Sequence, residues 1–178
     1  MEGPKQRLDG LAESLGGKVP YVYLLVVTLV FTYVTMVLGS YTSSIGAGLS
    51  CPDWPQCYGV WFPFSNPEAM YDHPDFPGYA EAYTSTQIFA EWIHRGVAGV
   101  TGFLVLGSAA GAWLGRRKPA AVRYSTLAAL LLLPTQVVLG GLTVTRKLEP
   151  VIVTSHLATA TLIIVCVSVA TTATYYEG

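Results

Sequence analysis

The stretch YVYLLVVTLVFTYVTMVLG, residues 21–39, contains no charged side chain. A helix crosses the hydrocarbon of a bilayer with about 20 consecutive apolar residues, so this stretch is long enough to span a membrane. Three more apolar stretches of comparable length follow it: Trp92–Leu114, Tyr124–Val144 and Val151–Tyr176. The pattern predicts an all-α integral membrane protein, a four-transmembrane-helix bundle with a long loop between helices 1 and 2.

The overall composition agrees with this fold class. Of the 178 residues, 52% are hydrophobic and 12% are charged, and the mean hydropathy is +0.46. Soluble proteins contain roughly a quarter charged residues, so a lipid bilayer is the expected surrounding. The net charge is -1, whereas binding to phosphate backbones requires a concentrated basic surface. No nucleic-acid partner is therefore expected.

The distribution of Lys and Arg predicts the orientation, because the cytoplasmic loops of membrane proteins accumulate these residues. Seven of the ten precede the first apolar stretch or fill the connection between the second and the third: Lys5, Arg7, Lys18, Arg116, Arg117, Lys118 and Arg123. The short third connection has only Arg146 and Lys147. The connection 40–90 contains neither Lys nor Arg. We therefore expect a multi-pass protein of the cell membrane with cytoplasmic N and C termini and an extracytoplasmic loop at 40–90.

This topology divides the chain into two parts. Residues 1–20 are expected to be a cytoplasmic N-terminal segment, and residues 21–178 the four-helix membrane domain. Leu8, Leu11 and Leu15 have the spacing of an amphipathic helix on the inner membrane surface. A frayed polar tail explains the segment equally well.

Two of the three cysteines lie in GLSCPDWPQCYG, residues 48–59. Because this loop is expected on the oxidising side of the membrane, Cys51 and Cys57 can form a disulfide with each other. Closing so short a loop stabilises the fold by only about 2 kcal/mol. A redox-active pair is thus the alternative to a structural staple, although the spacing differs from that of a CxxC motif. Cys166 is expected to be a small buried apolar residue.

The loop is also rich in aromatic residues, which predict either a lid over a site or a belt at the membrane interface. They are Trp54, Tyr58, Trp61, Phe62, Phe64, Tyr71, Phe76, Tyr79 and Tyr83.

Histidine provides the main chemical signal. His94 in EWIHR and His156 in VTSHLA lie within predicted membrane helices, where an ionisable side chain indicates a functional site. His94 precedes Arg116 by 22 residues and His156 precedes Glu177 by 21, so both imidazoles are expected at nearly the same depth, toward the outer face. His73 lies in a proline-rich loop and is expected to be a solvated loop residue.

Two histidines at one depth on different helices suit a haem iron with two axial imidazole ligands. Small residues near them would leave room for a macrocycle: Gly96, Ala98, Gly99, Thr101, Gly102, Thr159 and Ala160. The alternatives are close helix packing for the small residues and a simple hydrogen bond for each histidine. A tetrahedral zinc site would need further ligands.

Glu91 lies three residues before His94 and therefore projects from the same helix face. Its carboxylate either orients His94, pairs with Arg95, or acts in a reaction that removes a proton or develops positive charge at the ring edge. Arg95 either binds a haem propionate, as part of the cofactor site, or extends to lipid headgroups.

Together, GLSCPDWPQCYG, EWIHR and QVVLGGLTV...VIVTSHLATA resemble the haem A synthase family over nearly all of the chain. The resemblance implies oxidation of the C8 methyl of haem O to a formyl group, which gives haem A. It implies Glu91 as the catalytic carboxylate, His94 and His156 as axial ligands of the haem iron, and Cys51 and Cys57 as an external cysteine pair. The bound group would be haem b as cofactor, haem O or haem A as substrate or product, or both.

Members of that family typically have eight helices in two related halves, and this chain resembles the compact, archaeal-type members with the length of one half. We therefore expect a homo-oligomer. Within the chain, VLGSYT at residues 37–42 is echoed by VLGGLT at residues 138–143, which predicts that helices 1 and 2 are related to helices 3 and 4. The resemblance also implies a haem O synthase and terminal oxidase assembly as partners.

The alternative function is a bis-histidine membrane cytochrome b, which transfers electrons without altering its haem. Glu91 and the cysteine loop favour the enzyme, because electron transfer requires neither. A quinone-coupled thiol oxidoreductase would need a second cysteine pair or a CxxC motif, and the sequence has neither.

Overall fold

The computed structural model describes residues 21–65, 67–114 and 118–177. The expected amphipathic helix in segment 1–20 lies outside the described residues. Within the described part the regular elements are helices. One isolated β-bridge, between Cys57 and Val60, lies in the loop between two of them. The predicted all-α fold class is confirmed.

The described residues form four long α-helices and one short one, besides two 3-10 turns at Pro63–Ser65 and Ala80–Ala82. The α-helices are α1 (Tyr21–Ser44), α2 (Pro67–Tyr71), α3 (Ser85–Leu114), α4 (Ala120–Thr145) and α5 (Pro150–Glu177). The helices α1, α3, α4 and α5 are long and apolar enough to cross a membrane, so the chain is a multi-pass membrane protein. Because α1 and α3 continue beyond their apolar stretches, the loop between them spans residues 45–84 rather than 40–90.

The four long helices form a bundle in which each packs mainly against two others. Helix α1 contacts α3 and α5, and α4 also contacts α3 and α5. Small and branched side chains fill the middle of the bundle: Val105, Ala129, Ile163 and Val167. A second cluster closes the end away from the 45–84 loop: Leu25, Ala112, Val122 and Ala170. These clusters fix the lateral arrangement of the helices.

Hydroxyl groups connect α1 to α3. Thr28 Oγ1 lies 2.9 Å from Ser108 Oγ, and Thr35 Oγ1 lies 2.8 Å from Thr101 Oγ1. Such hydrogen bonds across membrane helices join them where lipid offers no polar partner. Thr101, expected beside a macrocycle, is therefore part of the α1–α3 interface.

The two helix pairs, α1 with α3 and α4 with α5, share local structure. Thr42 Oγ1 donates to the Gly39 carbonyl at 2.8 Å, and Thr143 Oγ1 donates to the Gly140 carbonyl at 2.7 Å. The backbone N–H five residues after each threonine donates to that threonine's carbonyl, at 2.7 Å after α1 and 2.8 Å after α4. Both bonds are typical of helices that end in a Schellman motif. They support the relation that the repeated VLG motifs predict.

The 45–84 loop has a core of its own. Cys51 and Cys57 form a disulfide, as predicted, and both residues are at most 1% exposed. They pack in a cluster with Tyr58, Met70, Ala80 and Ile88. The loop is thus a packed cap on one end of the bundle.

Asp53 and Tyr58 fix the turn inside the disulfide ring. The Asp53 carboxylate accepts hydrogen bonds from the backbone N–H groups of Tyr58 at 2.6 Å and Gly59 at 2.8 Å. These donors point together because Tyr58 and Gly59 adopt left-handed backbone angles, φ 57° and 69°. The Tyr58 hydroxyl donates to the Ser50 carbonyl at 2.8 Å, and burial raises the pKa of Tyr58 well above its usual range.

Candidate functional site

His94 of α3 and His156 of α5 each lie against a glycine of the neighbouring helix. A β-carbon added to Gly39 of α1 would be 2.9 Å from His94 Cε1, and one added to Gly140 of α4 would be 3.3 Å from His156 Cε1. Any larger residue would have to displace the imidazole, since side-chain carbons do not approach so closely. Each helix pair therefore holds one histidine in an equivalent place.

The two imidazoles have free ring nitrogens inside the bundle. Among the described residues, neither His94 Nδ1 nor His156 Nδ1 has a hydrogen-bond partner, although both atoms are buried. His156 Nε2 lies 3.5 Å from Gln136 Nε2, at the limit of a hydrogen bond. Buried nitrogens normally have partners, so this pair fits the two axial ligands of a haem iron.

The glycines expected beside His94 have open space at their β positions. A β-carbon added to Gly96 or Gly99 would meet nothing within 4 Å, and one on Gly102 would meet only Leu133 at 3.9 Å. The glycines that accommodate the imidazoles, Gly39 and Gly140, lie on the facing helices and were not among the expected site residues. The signal that could have identified them is the glycine shared by VLGSYT and VLGGLT.

Glu91 and Arg95 form an ion pair beside this site. Glu91 is 6% exposed, and its Oε1 accepts a hydrogen bond from Arg95 Nε at 2.9 Å. Arg95 Nη1 donates to the carbonyls of Asp53 and Gln56, each at 2.6 Å, and Nη2 donates to the Cys51 carbonyl at 3.1 Å. Of the roles expected for Glu91, pairing with Arg95 is present. Since a guanidinium has five N–H groups, one on Nη2 is left for another acceptor.

Trp54, at the tip of the disulfide ring, reaches the second helix pair. A β-carbon added to Gly141 of α4 would lie 3.3 Å from Trp54 Cδ2 and Cε3. Arg95 meanwhile ties the same ring to α3. The loop therefore contacts both helix pairs at the end of the bundle where α3 and α5 begin, the end nearest the two histidines.

The other loop aromatics divide between packed and exposed positions. The Phe64 ring lies 5.7 Å from Phe89 and 5.9 Å from Trp92, in edge contacts that favour aromatic packing. Trp61 and Phe62 are 61% and 66% exposed, as in an interfacial belt. The loop thus contains both packed and exposed aromatic rings, and the lid and the belt stay alternative predictions.

His73 is separate from the helical pair. Its ring lies 4.9 Å from the Phe76 ring, and its Nδ1 accepts a hydrogen bond from the Asp75 backbone at 3.2 Å. It is a half-buried loop residue, less solvated than expected. Its contacts belong to the loop rather than to the bundle.

Comparison with known proteins identifies the family. The family model for COX15-CtaA, described as cytochrome oxidase assembly protein, matches residues 22–177. This chain belongs to the COX15-CtaA family. The matched region contains all four long helices of this COX15-CtaA chain, the disulfide loop and both helical histidines.

Several curated proteins are similar to this COX15-CtaA chain. Heme A synthase of Shewanella oneidensis is 40% identical over 137 residues, which are 76% of this chain and 40% of that protein. Heme A synthase of Roseobacter denitrificans is 33% identical over 116 residues, 64% of this chain and 28% of that protein. Protoheme IX farnesyltransferase of Halobacterium salinarum (strain R1) is 34% identical over 126 residues, 69% and 22% of the two chains.

The chain therefore spans at most 40% of the length of these relatives. No solved structure is significantly similar to it.

Proposed function

We propose that this COX15-CtaA protein is a haem A synthase, an oxidoreductase that converts the C8 methyl of haem O into a formyl group. In the net conversion two C–H bonds of the methyl break and a C=O bond forms; with water as the source of the oxygen, four electrons and four protons pass to an electron acceptor outside the described chain. The observation that carries the proposal is the buried carboxylate of Glu91, which lies one helical turn from His94 on the side of the loop. The two heme A synthase relatives support it.

In this proposal His94 and His156 provide the axial nitrogens, and Gly39 and Gly140 allow the imidazoles to lie close to the facing helices. A bound haem supplies a redox-active iron and a conjugated ring whose edge carries the methyl group. Whether the iron belongs to haem b as cofactor or to haem O as substrate, the same nitrogens would hold it.

Glu91 is proposed as the catalytic carboxylate. Its negative charge is fixed by Arg95 in a buried position, where a preorganised charge acts more strongly than in water. It can stabilise positive charge at the ring edge or accept a proton from the reacting carbon. The remaining N–H of Arg95 is available to a haem propionate.

The replacement Glu91→Gln tests this catalytic role, because it preserves the size of the side chain and removes its charge. We expect a normal bis-histidine spectrum, accumulation of haem O or its alcohol, and little haem A. A loss of several kcal/mol of transition-state stabilisation corresponds to more than about a hundredfold in rate. Normal haem A formation would remove Glu91 from catalysis, whereas loss of haem would make it a support for His94.

A bis-histidine cytochrome b is the second candidate, favoured by the paired imidazoles alone. Pyridine haemochrome analysis of the purified protein distinguishes the two functions. Haem O together with haem A supports the synthase, and haem b alone supports the cytochrome. A protein without haem would contradict both.

The proposal extends to location and partners. We propose a cell-membrane protein with the 45–84 loop outside, which the absence of Lys and Arg from that loop supports. We also propose a homo-oligomer, and terminal oxidase assembly as the downstream process. The similarity to part of a protoheme IX farnesyltransferase supports a haem O synthase as the supplying partner. Crosslinking in native membranes tests the contact between two copies of this chain and the contact with the haem O synthase.

A further inference from the structure

Arg95 is bound far more completely than an arginine at a membrane surface. Its side chain is 12% exposed, and it donates to the carbonyls of Cys51, Asp53 and Gln56. All three carbonyls belong to the segment that the Cys51–Cys57 disulfide closes. Because a guanidinium is a rigid planar fork, three carbonyls can converge on it only while that segment keeps its shape.

The same guanidinium also holds Glu91. Arg95 Nε donates to Glu91 Oε1 at 2.9 Å, one helical turn away on α3. Among the residues that the structure describes, no other hydrogen-bond donor reaches this carboxylate. The position of the carboxylate therefore depends on Arg95, and the position of Arg95 depends on the disulfide-closed segment.

We propose that Arg95 is a positioning residue through which the disulfide-closed segment 51–57 fixes the Glu91 carboxylate beside the histidine pair. Opening the ring would separate the three carbonyls, release the guanidinium and free the carboxylate. The burial of both cysteines favours this mechanical role, since a buried disulfide is poorly accessible to an exchanging thiol. Only the catalytic consequence rests on the proposed function; the linkage itself does not.

The linkage is testable by the reactivity of Glu91 in membranes that contain the full chain. Hydrophobic carbodiimides modify carboxyl groups that lack a fixed cationic partner, and peptide mass spectrometry locates the adduct. We expect Arg95→Gln to accelerate modification of Glu91 about tenfold. This factor corresponds to an interaction energy within the range of about 0.5–3 kcal/mol that contacting residues show. The paired replacement Cys51→Ala/Cys57→Ala should do the same.

Combining these replacements shows whether the disulfide affects Glu91 through Arg95 or independently of it. If the disulfide acts through Arg95, the triple variant should react no faster than Arg95→Gln alone. Multiplied effects would show independent action and overturn the proposal, as would unchanged reactivity in either variant. Glu149, in the turn between α4 and α5, is the internal control and should react equally in all proteins.

The conservative variant separates positioning from folding. Arg95→Lys keeps the charge and can reach Glu91, but it lacks the fork that binds several carbonyls at once. It should protect Glu91 to an intermediate degree, and it replaces Arg95→Gln if that variant does not fold. Reactivity of Arg95→Lys equal to that of the cysteine-free protein would contradict the proposal.

The activity measurement is read separately. The cysteine-free variant, which keeps Arg95 and its remaining N–H, should lower kcat for haem A formation with haem content and KM for haem O unchanged. A fall in haem content of the same size would indicate a structural role and overturn the positioning role. If the wild-type protein forms no haem A, the proposed function fails, and the carbodiimide result still decides the linkage.

Discussion

The imidazole of His94 leaves no room for a side chain at Gly39, since a β-carbon there would lie 2.9 Å from His94 Cε1. The contact joins α1 to α3, the two helices connected by the long loop. Its counterpart between Gly140 and His156 is looser by a few tenths of an ångström, at 3.3 Å. We therefore expect an added methyl group to have a larger effect at Gly39 than at Gly140.

Gly39→Ala should weaken haem binding more than Gly140→Ala. Overpacking costs about 1–3 kcal/mol, which is about fivefold to about 150-fold in affinity. Alanine favours a helix over glycine by about 1 kcal/mol, so the fold should persist. The matched control is Gly107→Ala on α3, where an added β-carbon meets nothing within 4 Å. Haem titration of the three variants checks the order, and equal affinities for Gly39→Ala and Gly107→Ala would contradict it.

Replacement of either helical histidine should remove the six-coordinate low-spin spectrum, because each would supply one axial nitrogen. The variants are His94→Ala and His156→Ala, measured by optical absorption of the purified protein. His73→Ala is the control, since that ring packs on Phe76 in the loop. Loss of the spectrum in His73→Ala alone would reject the helical pair as ligands.

The cysteines of the loop should resist alkylation until a reductant is added. Cys51 and Cys57 are disulfide-bonded and packed in the loop cluster, so neither offers a thiol. Cys166 of α5 is free and accounts for any thiol detected after denaturation without reductant. Rapid labelling of Cys51 and Cys57 in intact cells would contradict the bond.

Loop packing should weaken in alkaline solution. Burial raises the pKa of Tyr58, and chiefly burial raises that of Tyr79 from 10.0 to about 12. Opening the loop lets both hydroxyls ionise at their usual pKa. The stability that their packing contributes is therefore complete below about pH 10 and is lost progressively as the pH rises above it.

Alkaline titration followed by tyrosinate absorbance measures this effect. Tyr58→Phe should remove one of the groups that ionise above pH 10, whereas Tyr175→Phe, near the end of α5 and away from the loop, is the control. If the tyrosinate absorbance is complete near pH 10, with no later component that Tyr58→Phe removes, the prediction is wrong.

Much of this architecture follows from local sequence. Apolar length alone predicts the four spanning helices, and the spacing of Glu91 and His94 predicts their shared face. The binding of Arg95 to loop carbonyls was not predictable, because those residues lie 39 to 44 positions away in the chain. That contact depends on a loop conformation, for which composition and periodicity carry no signal.

The glycine contacts were predictable only in part. The repeated VLG motif marks Gly39 and Gly140 as equivalent, but a repeat does not say which neighbouring helix each glycine faces. Only the packing of α1 on α3 and of α4 on α5 brings the imidazoles onto them.

The unequal connections after two equivalent helices have a consequence for regioselectivity. A pocket between related helix pairs offers the two faces of a porphyrin the same ligand, and so does not by itself distinguish the ring's peripheral methyl groups. After α4 the chain turns within residues 146–149, whereas after α1 it makes the 45–84 loop that holds Arg95 and, through it, Glu91. Glu91 lies three residues before His94, whereas Val153 has the equivalent position before His156. If a haem binds between the pairs as proposed, the choice of one methyl among several would originate in that asymmetry.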